Sequence, residues 1–473
     1  MKRSYIILLL LVLISLTCGK KDRIVATIGK EKSITVPELI TYYNQRNSQK
    51  ASDVPYSKLK DALDKMIEDE IKIKAAYEMK LDQDSTLQRI VENYRGEFML
   101  GTLREIEIID QVVNESIIRD YYNKSSKEVE YQDLFIPVER SASPDVKEEK
   151  RKKAEMIVKA LRDGKEFSQL ITESSQDPDM YITGKIISYT RVNDPFQTKV
   201  FALRLGETSD VIHDHKGFHI IYIKKFHPKD IEPYKQKRDE IRGKLSRQLT
   251  FSIQKEAQKY LEKVVQRAEI IWNEETLDVI YNHLQSIEPR EQFAKTVHDT
   301  LMNLSADERQ LNLLILNDEK ISVHNFADIL TKYNPQTSFD ISDTEKLKGK
   351  ITEFLPRKLL IDKALSLHLD THMEVLEKLR QLKESYLIRM LHKQGIFKAE
   401  EPTEEEIYNY YIDHKDDTYS HLKDRDFKTI KLQVKRDLER KLSDGKKNEW
   451  LAEKKNEYQV TVFDNVLREI ANG

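Results

Sequence analysis

Three histidines stand close together in VFALRLGETSDVIHDHKGFHIIYIKK, from Val200 to Lys225: His213, His215 and His219. A second pair, His368 and His372, falls at helical spacing. Neutral imidazole is a frequent zinc ligand, so metal chemistry is the first possibility to weigh. Neither group brings an indicated carboxylate or fourth ligand, and no metal or other cofactor is expected. His219 also alternates with Ile221 and Ile223 against Phe218, Ile220 and Tyr222, which is the pattern of a short strand. An imidazole on such a strand is ordinarily a satisfied core residue. Asp177, in SSQDPD, precedes Pro178, and a turn alone accounts for it. The chain has no P-loop, no H-E-x-x-H and no G-x-S-x-G, so ATP-driven action and hydrolysis have no support. Cys18 is the single cysteine, which leaves the folded part without thiol chemistry or a disulfide.

The elements that would position His219 read in a fixed order. An amphipathic helix around Phe201-Ala202-Leu203 is followed by a turn at Gly206 and two short strands, which together end a small α/β domain. This order, with its FAL helix, L-x-x-G-E-x-S turn and G-[FY]-H-I-I strand, resembles the C-terminal signature of the parvulin-type peptidyl-prolyl isomerases. The resemblance implies rotation about an X-Pro bond, whose barrier is about 20 kcal/mol. That reaction needs no nucleophile or cofactor, only an apolar pocket for the proline ring and a polar network favouring the twisted amide.

Parvulins set two histidines on neighbouring strands, with a Cys or Asp nearby. By that resemblance His219 is the second histidine, Asp177 takes the Cys/Asp position, and Ile186 and Phe196 line the pocket. Two departures stand out. In EYQDLFIPV, Asp133 occupies the place of the first histidine, and the usual G-G-D-L-G turn is replaced by Thr183-Gly184-Lys185-Ile186-Ile187. A carboxylate at 133 would pair with His219 and favour its charged form. Weak or absent isomerase activity is therefore expected.

Gly and Pro are scarce, at 13 and 12 of 473 residues, while 34% of residues are charged. That balance favours long solvated helices. A formal charge of -2 and the lack of a basic stripe argue against nucleic-acid binding. Met1-Lys2-Arg3, an apolar run from Ile6 to Leu16, and Thr17-Cys18-Gly19 read as an export signal over residues 1–18. The placement of Cys18 resembles a bacterial lipobox, which implies a lipid anchor to a bacterial membrane and a periplasmic or cell-envelope location.

The second half repeats the first at a nearly constant offset. ILNDEKISVHNFADILTKY matches ATIGKEKSITVPELITYY, and Tyr410-Tyr411 in EEEIYNYY matches Tyr121-Tyr122 in ESIIRDYY. The strand Val460 to Val462 mirrors Ile270 to Trp272. The expected organisation is mainly α, a duplicated helical module with one inserted α+β domain. The first module is expected to be split over residues 24–127 and 229–272 around a parvulin-like domain at 128–228. A helical bridge at 273–309 then leads to a second module at 310–473. The tyrosine pairs are expected in the core rather than at a binding surface.

With its VA-x-IG-x-x-x-IT start, the chain resembles the SurA/PrsA/PpiD group of extracytoplasmic folding factors. The resemblance implies an ATP-independent chaperone for unfolded, outer-membrane or secreted polypeptides. An active isomerase and a structural scaffolding lipoprotein are the alternatives.

Overall fold

The computed structural model describes residues 23–46, 55–174, 180–422 and 426–471. Ten strands lie among them: β1 (Ile24–Ile28), β2 (Lys32–Thr35), β3 (Lys127–Pro137), β4 (Tyr181–Ser188), β5 (Ile212–Asp214), β6 (Gly217–Pro228), β7 (Ile270–Trp272), β8 (Asn312–Leu316), β9 (Glu319–Ser322) and β10 (Val460–Val462). Helices make up most of the remainder, so the chain is mainly α with small sheets. Two compact units divide it. One holds the described residues up to Arg95 together with those from Leu376 onward, and the other runs from Gly96 to Val375.

The repeat is structural. The helices Tyr56–Glu78 and Thr344–Ser366 both span 23 residues and both hand over to a left-handed residue, Lys80 at φ 57° and His368 at φ 55°. A single 3-10 turn follows in each case, Leu81–Gln83 and Leu369–Thr371. The strand pairs β1–β2 and β8–β9 are likewise equivalent, each antiparallel with one register shift.

The closing strands are exchanged relative to the expected modules. β7 was expected to complete the first half, yet it pairs with β8, placing Trp272 opposite Leu314. β10 pairs instead with β1, placing Ala26 opposite Val462. The helices before these strands follow them: Thr250–Gln266 packs on Thr344–Ser366, and Phe427–Glu457 packs on Tyr56–Glu78.

The segment expected as a bridge supplies the reason. Its helices Glu274–Leu284 and Ala294–Met302 bury Leu277, Ile280, Leu284, Val297 and Leu301 in one core with Leu313, Leu314 and Phe326. Burial of each such side chain stabilises by roughly 1.5–3 kcal/mol. β7 runs directly into this core, and so it is delivered to β8. In the other unit, Leu59, Leu63, Ile67 and Ile71 share a core with Leu451, Tyr458 and Leu467 from the C-terminal segment.

Inserted in the second unit is a four-stranded antiparallel sheet of order β4-β3-β6-β5. Alternation decides its two faces. Leu134, Ile136, Phe218 and Ile220 pack under the helices Pro144–Arg162 and Phe167–Ser174. Tyr131, Ile221 and Ile223 join Val200 and Phe201 on the other face, in a core that Tyr121 also enters. Tyr122, Tyr410 and Tyr411 are partly buried against neighbouring clusters, so both tyrosine pairs have the core role expected of them.

Candidate functional site

β3 and β6 are the central pair of the inserted sheet. Their register sets Asp133 opposite Ile221, Phe135 opposite His219, and Pro137 opposite Gly217. Residues directly opposite one another share a face, so Asp133, Phe135, His219 and Ile221 point the same way. The imidazole Nδ1 of His219 lies 2.8 Å from Asp133 Oδ2, and both side chains are about nine-tenths buried. The pairing expected from the substitution of the first histidine is thus present in the geometry.

Aromatic rings hold the imidazole in place. Phe135 stacks on it at 4.5 Å with an interplanar angle of 19°, and Phe196 meets it edge-on at 5.5 Å and 70°. Phe196 is delivered by the helix Pro195–Ala202, whose N-cap Asp194 accepts from the backbone N–H of Phe196 at 2.9 Å and of Gln197 at 3.1 Å. Proline at the first position and an Asp cap are strong start signals for a helix only eight residues long.

The β5–β6 turn brings a third ionisable group. Asp214 Oδ1 accepts from the backbone N–H of Lys216 at 2.7 Å and of Gly217 at 3.1 Å, an Asx turn that closes the hairpin. The same oxygen lies 3.3 Å from His219 Nε2, within ion-pair reach, although the N–H does not aim along a hydrogen-bond line. Burial pulls the imidazole pKa down, but the bonds and charges of Asp133 and Asp214 outweigh it and hold His219 above its usual value of 6.5. For Asp214, burial raises the pKa, and the backbone donor of Lys216, the adjacent His219 imidazole and the backbone donor of Gly217 bring it below the usual carboxylate range. The phenol of Tyr131 is pushed up to about 12 by burial and by the neighbouring Asp133 charge.

Gly217 explains the glycine before Phe218-His219. Its φ is 150°, and a Cβ there would sit 2.2 Å from the carbonyl oxygen of Ile136. Only glycine lets the two strands approach so closely at the end of the pair.

Of the residues expected at the site, His219, Asp133 and Phe196 come together. Ile186 does not. It lies opposite Glu130 on β4, three residues from Thr183, which is opposite Asp133. That odd spacing turns it to the other face of the sheet, where it is 55% exposed. Its neighbour Ile187 packs instead against the core that Phe196 also joins. Asp177 and Cys18 lie outside the described residues. His213 is opposite Phe218, and its ring packs against that phenylalanine at 4.8 Å, on the face away from His219. Asp214 and Phe135 were missed. The signal for Asp214 was an Asx residue three positions before Gly217, since a tight hairpin there sets Asp214 diagonal to His219.

An antiparallel β4-β3-β6-β5 sheet with helices on both faces, a histidine and a carboxylate on its central strands, and an aromatic wall is a parvulin-type arrangement. Residues 117–226 match the PPIC-type PPIASE domain family, and this part of the chain is a domain of that kind.

Among known proteins, the chain is similar to a chaperone SurA of Hydrogenovibrio crunogenus. The two are 26% identical over 166 residues, 33% of this chain and 37% of the relative. It is also 26% identical over 230 residues to a foldase protein PrsA of Geobacillus kaustophilus, covering 46% of this chain and 76% of the relative. The match thus spans well under half of the SurA relative's length. Among solved structures it is similar to the peptidylprolyl isomerase PrsA of Bacillus anthracis, with 20% identity, 42% of this chain and 96% of the other covered, and a TM-score of 0.21.

Proposed function

We propose that the chain is an extracytoplasmic, ATP-independent chaperone for unfolded outer-membrane or secreted polypeptides. It is held to a bacterial membrane through a lipid on Cys18, and its parvulin-type site has weak or absent isomerase activity. The observation that carries this reading occurs twice. At the end of the helix Tyr56–Glu78, Tyr77 and Met79 are exposed, and at the equivalent end of Thr344–Ser366, Leu365 and Leu367 are exposed, all at 36–44%. The side chains differ between the copies, but both large apolar pairs remain in water. Isolated exposed leucines need no explanation, whereas recurrence at the same turn of a duplicated module favours a binding role. Weak apolar contacts also suit a holdase, which must release its client without ATP.

The curated relatives are named a chaperone and a foldase, which agrees with this reading. No helix among the described residues is long and apolar enough to cross a membrane, and the proposed anchor does not require one. The reading of a weak site rests on Asp133, a carboxylate already bonded to His219 and standing where the family has its first histidine. An active isomerase is the second reading, favoured by the Phe196 wall retained against the ring.

One set of measurements on the full chain separates these readings. A chaperone suppresses aggregation of a denatured client, keeps doing so with His219→Ala, and loses a several-fold share of that effect in a Met79→Ser, Leu367→Ser double variant. Exchange spectroscopy on an X-Pro peptide reads isomerisation in the same samples. Catalysis in the native chain that disappears with His219→Ala overturns the weak-site reading. A gain on Asp133→His supports it. A chain that shows neither effect and retains one stable partner is a scaffold.

A further inference from the structure

His219 is flanked by carboxylates at both ring nitrogens. Asp133 Oδ2 stands 2.8 Å from Nδ1 and Asp214 Oδ1 stands 3.3 Å from Nε2. A neutral imidazole has one donor and one acceptor nitrogen, and an ionised carboxylate only accepts. A neutral ring would therefore set a lone pair against a negative oxygen on one side. A proton on each nitrogen removes that conflict, and the ring is packed by Phe135 stacked on it and by Phe196 edge-on.

We propose that Asp214 is a positioning residue of this site: together with Asp133 it holds the His219 ring in a single orientation with a proton on both nitrogens. The pull of Asp214 is charge on charge, which tolerates the imperfect angle better than a neutral hydrogen bond does. Other titratable groups on this side of the sheet do not supply the same effect. Tyr131 on β3 is a phenol held neutral by burial, and Lys185 on β4 is set opposite Tyr131. His215, within the β5–β6 turn, lies 3.9 Å from the second oxygen of Asp214 and is largely exposed. The helix Pro195–Ala202 presents the apolar Phe196 to the ring. The raised pKa of His219 agrees with the geometry.

Two consequences follow for the domain. With a proton on each nitrogen, one bonded to Asp133 and the other within ion-pair reach of Asp214, the ring has no lone pair to offer a substrate amide. The network also shifts the switching of this ring to higher pH than that of an ordinary histidine. The inference stands apart from the chaperone reading, because it concerns protonation and holds whether or not X-Pro bonds are turned over.

The test uses the full chain carrying 13C-labelled histidine, with the His219 signal among the twelve histidines identified by its loss in His219→Gln. Asp214→Asn is informative because asparagine keeps the oxygen that accepts from Lys216 and Gly217, and so keeps the turn, while removing the charge. In the native chain the His219 midpoint is expected above 6.5, with both nitrogens protonated at pH 7. Asp214→Asn is expected to lower the midpoint by on the order of one pH unit, and Asp214→Glu is expected to recover part of that shift. A neutral single tautomer at pH 7 in the native chain overturns the proposal. So does an unchanged midpoint in Asp214→Asn alongside a lowered one in Asp133→Asn, since Asp214 would then serve the turn alone.

Discussion

The phenol of Tyr458 donates to the carboxylate of Glu78 at 2.6 Å, across 380 residues of sequence. Tyr458 stands just ahead of β10 and Glu78 ends the helix Tyr56–Glu78, so this bond ties the C-terminal closing segment to the N-terminal helical hairpin. Burial and the Glu78 charge raise the phenol's pKa, and it remains a donor at any pH the protein meets. Tyr458→Phe keeps the ring in its core and removes a hydrogen bond to a charged acceptor, which water then solvates. A loss of about 1–2 kcal/mol is expected in the unit holding β1 and β10, and none in the unit holding β3 and β6. Urea denaturation followed by unit-resolved amide signals checks both halves of that statement.

The exchange of closing strands makes a sharper forecast. A fragment ending after Trp272 contains everything that the sequence repeat assigns to the first module, yet it lacks β10 and the helix Phe427–Glu457. Without them Val25, Ala26 and Ile34 lose the cover of Leu451 and Leu467, and β1 loses one neighbour. Amides of β1 in this fragment are expected to exchange as in an unfolded chain. Adding residues 427–473 as a separate peptide is expected to restore protection. Full protection of β1 in the fragment alone would mean that β7 can close the first half after all.

The duplication was readable because apolar positions and the tyrosine pairs keep a nearly constant offset through long stretches of chain, and a short final strand ends each copy. Which copy closes which was not readable. β7 and β10 present similar edges, and the choice is made by the packing of Leu277, Ile280 and Val297 around β8, a tertiary fact with no periodic trace. The site divides the same way. Asp133 and His219 were legible since strand register places them on one face, and the family pattern pointed to both. Ile186 failed because a one-residue difference on β4 decides between faces, and Thr183-Gly184-Lys185, expected as a turn, is part of that strand. Asp214 was passed over, and in the structure it caps the β5–β6 turn. Its second role depends on the angle at which a hairpin folds back.

Gly217 offers a test of that hairpin. A methyl group there meets the Ile136 carbonyl at 2.2 Å and Pro137 Cα at 3.0 Å, both backbone positions that cannot swing aside. Gly217→Ala must therefore part β3 from β6 at their ends or abandon the φ of 150°. A destabilisation of roughly 2 kcal/mol or more is expected. The Nδ1 contact of His219 with Asp133 should loosen with it, seen as a fall in the His219 midpoint. Gly243→Ala, in a helix where a Cβ meets only the tip of Arg247 at 3.8 Å, is the matched control and is expected to be neutral or stabilising.

The charge state of His219 also links the inserted domain to pH. Its pKa in the folded chain lies above the ordinary 6.5, so the folded state binds more protons than the unfolded state between those two values. The stabilisation is fully present below pH 6.5 and is lost as pH rises through the folded midpoint. A single proton limits the slope to about 1.4 kcal/mol per pH unit. Urea titrations of the full chain at pH 6 and pH 8, read from β3 and β6 amides, are expected to show lower stability at pH 8. His219→Gln removes the titrating group while leaving a side chain that can still donate to Asp133. The other groups contribute equally to both proteins, so the difference between the two pH dependences isolates His219. If the native chain and His219→Gln change in parallel from pH 6 to 8, the ring is not held charged in the folded state, and the clamp by Asp133 and Asp214 falls with it.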